Sequence, residues 1–304
     1  MSTSRERAGQ MMWVGIPGPT LDAATRRQLE SIRPGGVVLF ERNIETREQV
    51  RELCANLRKW SKSSIRIAVD QEGGRVSRFG CGVTPLPEAA ALGADAGADL
   101  ARAIARVRRD TAIVARELCA LGVDVNLAPV ADLAIGPENP ALSGRCFGAD
   151  PELVAGLVRA CVEGFRQGGV APTLKHFPGL GGAHDDPHLE LARREGPVGE
   201  EALRPFRAGI AAGCPYVMTT HLVVAGTDET PATFSPRLVK DLLRGELGFR
   251  GRVITDALEM GAVAGERDAA ERALRAGHDV LCVGSADIDV QQRIRESAAR
   301  ALRV

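Results

Sequence analysis

The chain has 304 residues and a mass of 32.2 kDa, of which 44% are hydrophobic and 26% charged, enough to bury a sizeable core. Lys plus Arg and Asp plus Glu both total 39, so charge gives no case for a nucleic-acid or anionic-membrane partner and suits a small, weakly charged substrate. No apolar run reaches bilayer length, residues 1–7 are polar without a following signal-type hydrophobic core, and the seven scattered cysteines include no Cys-x-x-Cys pair, so a reducing cytoplasm is the expected compartment.

In chain order, short apolar runs at 11–16, 36–40, 65–69, 123–128, 170–174, 216–219, 253–255 and 280–283 read as strands. Helical patterns follow each of them, at 21–32, 46–60, 87–120, 151–167, 199–212, 236–244, 266–276 and 288–302. Strand followed by helix, eight times, predicts an α/β fold of the TIM-type (β/α)8 barrel class, one domain over residues 1–304. A doubly wound open sheet has the same alternation, but no Gly-x-Gly-x-x-Gly opens a helix after the first strand.

Polar residues gather just after the strands, where the loops of such a barrel converge. The third strand leads into Asp70-Gln71-Glu72-Gly73-Gly74-Arg75-Val76-Ser77-Arg78, and the fourth into a long loop through Asn139 to Arg145-Cys146-Phe147. The fifth strand is expected to end at Leu174, where a dense cluster begins: Lys175-His176-Phe177-Pro178-Gly179-Leu180-Gly181-Gly182-Ala183-His184-Asp185-Asp186-Pro187-His188. Its glycines suit a mobile loop. Pro187 pushes Asp186 toward an extended conformation in which alternate side chains share a face, so the Asp186 carboxylate reaches His188, sets its tautomer and supports its protonated form, as acid–base work requires. Thr219-Thr220-His221 follow the sixth strand and Thr255-Asp256 the seventh; Asp256 taken alone fits a helix cap as well as a catalytic group. Cys146 lies near these candidates and is expected to be accessible, while most other cysteines, Cys81 among them, fit no site.

These motifs resemble glycoside hydrolase family 3, in its bacterial β-N-acetylglucosaminidase branch. The resemblance rests on Gly35 to Phe40 with Arg42-Asn43, on Asp70 to Arg78, on Arg145 to Gly148, on Lys-His-Phe-Pro-Gly-x-Gly followed by Asp-x-His, and on Val253 to Asp256. It implies that Asp256 is the nucleophile of a retaining exo-hydrolase, that His188 assisted by Asp186 is the acid and base, and that Asp70, Arg78, Arg145, Lys175, His176 and His221 bind the sugar, with no metal or cofactor. The implied substrate is a terminal β-linked N-acetylglucosamine on a peptidoglycan fragment. Glu72 is expected to brace an arginine or backbone, Asp70 with Arg78 could instead be an ion pair closing the rim, and His221 a satisfied core histidine.

The chain departs from the family pattern at four places. Ala257 stands where a second aspartate is common, Leu180 replaces a polar loop residue and would affect loop closure or aglycone choice, Pro187 stiffens the dyad, and Cys146 replaces a frequent serine. Three other readings compete: a phosphorylase on the same site, a metal-dependent barrel hydrolase using His176, His184, Asp185, Asp186 and His188, and a noncatalytic sugar sensor.

Overall fold

The computed structural model describes residues 2–62, 65–80, 82–136, 139–183 and 185–303. Eight strands form one parallel sheet: β1 (Met12–Gly15), β2 (Gly36–Leu39), β3 (Arg66–Val69), β4 (Val125–Asn126), β5 (Ala171–Phe177), β6 (Tyr216–Thr219), β7 (Arg252–Ile254) and β8 (Leu281–Val283). Their spatial order follows the chain, and β1 pairs with β8. A parallel bridge from Ile254 to Val280, the Thr255 N–H to Val280 O bond (3.0 Å) and the Leu258 N–H to Cys282 O bond (3.0 Å) join the two ends of the sheet into a barrel. The strands are near-continuous Val, Ile and Leu because both faces are covered, one by helices and one by the barrel's own interior.

All eight expected strands form, most within a residue of the expected bounds, but the fourth shrinks from 123–128 to Val125–Asn126 and the fifth is extended. The fifth runs on through Lys175, His176 and Phe177 instead of stopping at Leu174. Its register against β6 shifts between Leu174 and Phe177, and the Lys175–His176 peptide is cis. The helices are α1 (Ser4–Gln10), α2 (Ala23–Ile32), α3 (Arg47–Trp60), α4 (Ala89–Ala98), α5 (Leu100–Leu121), α6 (Pro151–Gln167), α7 (Glu200–Ala211), α8 (Ala269–Ala276) and α9 (Ile288–Ala301), with a wide π-wound segment at Arg237–Glu246.

The helix expected across 87–120 is two helices. Asp99 is extended and its carboxylate caps the Arg102 N–H of α5, so the cap starts a new helix inside a continuous apolar pattern. The first helix, α1, was not expected from the polar N-terminus; a capping box between Thr3 and Glu6 starts it, and its Ala8 and Gly9 are buried. Asp22, Thr46, Asp150 and Asp287 cap α2, α3, α6 and α9 with their side-chain oxygens, each accepting a first-turn N–H.

One apolar layer lies between strands and helices, and a second fills the barrel: Trp13, Val38, Ala68, Val125, Leu127, Tyr216, Met218, Ile254, Val280 and Cys282. Trp13 and Tyr216 meet edge to face at 5.5 Å, and Gly36 makes room for the indole, since a Cβ there would lie 2.4 Å from Trp13 Cδ1. Trp13→Ala should therefore lower the unfolding free energy by roughly 3–5 kcal/mol in a denaturant titration. A loss below about 1 kcal/mol would mean that the interior does not depend on this ring.

Candidate active site

Above the second layer opens a cavity of about 610 Å³, lined by side chains from the carboxyl ends of most strands. Its floor is the top of the barrel core itself, with Val38, Leu127, Met218 and Cys282 in both. One wall is built on a hairpin that turns back directly after β3, pairing Gln71–Gly73 with Val76–Ser77. The β4 ladder is only two residues long, and the Asn126 side-chain amide extends it by mimicking a backbone pair: it accepts from the Gln71 N–H (2.9 Å) and donates to the Gln71 carbonyl (2.8 Å).

The hairpin presents Asp70 and Glu72 to the fully buried Lys175. Its ammonium lies 2.7 Å from Asp70 Oδ1 and 2.6 Å from Glu72 Oε1. Arg145, from the loop after β4, grips Glu72 with two parallel bonds of 2.8 and 2.7 Å and also donates to the Ala141 carbonyl. Burial pushes the Glu72 carboxyl up, but Lys175 and Arg145 outweigh it and hold it far below the usual carboxylate range. Burial likewise opposes the Lys175 charge, and Asp70 and Glu72 overcome it, leaving the ammonium more basic than usual. Glu72 thus braces Arg145, as expected, and Lys175 as well. Asp70 has its close partner in Lys175; Arg78 stands 3.9 Å away and lies over the Phe40 ring, 5.8 Å from its centroid.

His176 is fixed by a residue that carries no motif. Asp132 is fully buried and accepts from the His176 ring at Nδ1 (2.7 Å), from the His176 N–H (3.2 Å) and from the Leu180 N–H (2.7 Å). With Nδ1 donating, Nε2 faces the Arg145 guanidinium at 3.4 Å. The position of Asp132 four residues past the end of the expected apolar run at 123–128, in the loop that follows that strand, is the sequence signal that could have found it.

Asp186 and His188 do pair, at 2.6 Å between Oδ1 and Nδ1, but through a turn. Asp186 Oδ1 also accepts the His188 N–H (2.9 Å), and the Leu189 N–H returns to the Asp186 carbonyl (2.9 Å). Asp at the first position and Pro at the second are the residues such a turn favours, so Pro187 forms the dyad by bending the chain, in place of the expected extended alternation. Burial raises the Asp186 carboxyl, and its bonds to the His188 backbone and ring, with the charge of His188, together more than reverse this. Both residues line the cavity, with the His188 side chain 59% exposed at its mouth.

Asp256 lines the same cavity from the end of β7. Its Oδ1 accepts the Ala257 N–H (2.8 Å). Burial pushes its carboxyl up, but His176, His221, the Ala257 amide and His188 together bring it below the usual aspartate value, so it is an anion at neutral pH. Glu259, missed in the sequence, lines the cavity nearby and moves the opposite way: burial first, and Asp256 in addition, raise it, while Oε1 accepts the Ser285 N–H and Oε2 is buried without a partner.

Three expectations change. His221 does not line the cavity: it is fully buried, its Nε2 donates to the Ala257 carbonyl (2.9 Å) and its Nδ1 meets the Thr233 hydroxyl (2.8 Å), so it braces the backbone behind Asp256 instead of touching a sugar. Cys146 is buried, not accessible, and burial drives its thiol far up. Leu180 packs beside it with Val130, Ala183 and Leu222, 2% exposed, so it faces the core and neither aglycone nor solvent. The described cysteines are all free thiols; Cys81 and His184 lie outside the described residues. Among the described residues no group of three His, Cys, Asp or Glu side chains converges as a metal site would require, and His176 and His188 are each turned to a single carboxylate. No described helix is long and apolar enough to cross a membrane.

Comparison with known proteins agrees with this architecture. Residues 3–301 match the N-terminal domain of glycosyl hydrolase family 3. A β-hexosaminidase of Stenotrophomonas maltophilia (strain K279a) is 42% identical over 279 residues, 90% of this chain and 83% of that protein. One from Xanthomonas campestris pv. campestris (strain B100) is 39% identical over 298 residues, 96% of this chain and 89% of its own. Among solved structures, a family 3 β-N-acetylglucosaminidase from Paenibacillus sp. str. FPU-7 superposes with a TM-score of 0.91 at 35% identity, covering 99% of this chain and 58% of that one. NagZ from Neisseria gonorrhoeae in complex with N-trifluoroacetyl-D-glucosamine does so with a TM-score of 0.86 at 32% identity, covering 96% and 88%. With its barrel, its strand-end site and these relatives in hand, the chain belongs to glycosyl hydrolase family 3, among the β-hexosaminidases.

Proposed function

We propose that this chain is a retaining exo-β-N-acetylglucosaminidase, a single-barrel cytoplasmic enzyme that removes terminal β-linked N-acetylglucosamine from small peptidoglycan fragments. The observation that carries the reading is one cavity holding a low-pKa carboxylate, Asp256, and a carboxylate-oriented imidazole, His188, on separate elements. Relatives that are β-hexosaminidases, and one solved with an N-acylated glucosamine, support the substrate class.

In this mechanism Asp256 attacks C1 while His188 gives its Nε2 proton to the glycosidic oxygen, so the C1–O bond breaks and the aglycone leaves as an alcohol. Water then attacks C1 of the glycosyl-Asp256 ester, His188 takes its proton, and the carboxylate is released; two inversions retain configuration. Asp186 holds the ring by Nδ1 and stabilises the imidazolium formed in the second step. Asp70 accepts from sugar hydroxyls, with Lys175, Arg145, His176 and Arg78 as donors and orienters around it. The chemistry calls on no metal or cofactor.

Glu259 has a raised pKa, as many glycosidase acids do, yet its partnerless oxygen is buried out of solvent contact, whereas His188 stands exposed where an aglycone would depart. On a phenyl β-N-acetylglucosaminide, His188→Ala should lower kcat/KM by about 10²–10⁴-fold and Glu259→Gln by less than about tenfold. The reverse order in steady-state assays would transfer the acid role to Glu259. Asp256→Ala should be inactive, and a 2-fluoro sugar should label Asp256 in peptide mass analysis; a label on any other residue removes it as nucleophile. Running the same assay with and without phosphate separates hydrolysis from phosphorolysis.

The lowered Asp256 pKa also sets the acid side of the pH profile. The nucleophile must be ionised, so its folded-state depression moves the acid limb of kcat/KM to below pH 3.8, and activity is lost only as pH falls through that depressed value. An acid limb near about pH 5–6 would instead point to a carboxyl pushed upward, such as Glu259, as the essential anion.

A further inference from the structure

The loop that carries the dyad is hydrogen-bonded to the segment after β7 through backbone atoms. Gly261 N–H donates to the His188 carbonyl (3.1 Å) and Ala262 N–H to the Pro187 carbonyl (3.3 Å). A Cβ on Gly261 would lie 2.4 Å from the Leu189 carbonyl oxygen and 2.8 Å from that of His188, and its three nearest atoms all belong to this loop. These are main-chain atoms, so no rotamer change relieves the overlap; the loop itself must move. Gly261 is exposed and is not among the positive-φ glycines, so neither core packing nor a left-handed turn demands a glycine here. What demands it is the close approach of the two segments.

From the opposite side, the Asn139 amide donates to the Ala183 (3.1 Å) and Asp185 (3.0 Å) carbonyls. The Asp186-Pro187-His188-Leu189 turn is thereby held between two anchors. We infer that Gly261 is a positioning residue: it is the landing point that sets how near the His188 backbone, and with it the ring, comes to Asp256 five residues upstream on the same segment. The inference rests on the reading of His188 as proton donor and Asp256 as nucleophile. Any side chain at 261 props the loop outward and weakens proton transfer while leaving Asp256 and the sugar-binding wall in place.

The test is Gly261→Ala on two β-N-acetylglucosaminides. Glycosylation of Asp256 needs acid assistance with a phenol leaving group and almost none with 2,4-dinitrophenol. The expected result is a kcat/KM loss of about 10²-fold on the phenyl glycoside and of less than about threefold on the dinitrophenyl glycoside. A burst of dinitrophenol should also appear, with steady turnover restored by azide, which attacks C1 without a general base. Amide hydrogen exchange at residues 185–190 should quicken while that of β5 and β7 does not change, a readout independent of catalysis. Equal losses on both substrates, wild-type rates on both, or unaltered exchange in the loop would overturn the latch. Asp256→Ala serves as the control: if it stays active, the catalytic reading has failed; if it is dead and Gly261→Ala behaves as wild type, only the latch has.

Discussion

A buried ammonium holds this site together. Lys175 has almost no contact with solvent, and an unpaired charge there would cost several kcal/mol, so its place in the fold exists only because Asp70 and Glu72 come to it. Those carboxylates arrive on a hairpin that follows β3, two strands away, across a β4 with a ladder only two residues long. The ion pairs therefore span a gap that backbone pairing leaves thin, with Asn126 adding its amide to the ladder and Arg145 tying the β4 loop to the same Glu72. Removing Lys175 would leave Asp70 without its close partner and Glu72 with Arg145 alone. In the proposed function, structure and substrate recognition are joined at this point, because the Asp70 proposed to accept from a sugar is oriented by the same lysine.

The acid–base half of the site is held in a different way. Asp256 is embedded at a strand end, with its backbone braced by the buried His221 through the Ala257 carbonyl. His188 hangs on a surface turn, with a single carboxylate and a few main-chain bonds to locate it. In the proposed mechanism Asp256, as nucleophile, must keep a fixed line of attack on C1, whereas His188, as proton donor, must admit an aglycone and release it. Rigid and yielding supports fit those two tasks. The environments of Asp256 and Glu259 also diverge, one carboxyl lowered by histidines and an amide, the other raised by burial, so that two acids three residues apart are pushed in opposite directions.

Periodicity located all eight strands, because a strand covered on both faces reads as an unbroken apolar run whatever its neighbours do. It stopped the fifth strand at Leu174, since nothing local says that Lys175 and His176 continue a buried strand; their partners, Asp70, Glu72 and Asp132, are all more than forty residues away in sequence. The break at Asp99 was hidden for the opposite reason: a short polar cap interrupts the apolar pattern of 87–120 without altering its period. Asp186 and His188 were legible as a pair, but by an alternation argument where the chain makes a turn. Asp132 and Glu259 left no motif, and Leu180 looked like a loop residue because its glycine-rich neighbours concealed that its side chain turns inward to Cys146 and Val130.

Val38, Leu127, Met218 and Cys282 belong at once to the barrel's packed interior and to the cavity floor, so the two have no intervening wall. Random drift at these four positions is then judged twice over: a replacement that fills the cylinder more tightly also raises or reshapes the bed on which a saccharide rests. If this cavity is the sugar site proposed above, changes of sugar preference would be slow to arise from below and easier from the rim, where loops can vary without disturbing what keeps the protein folded.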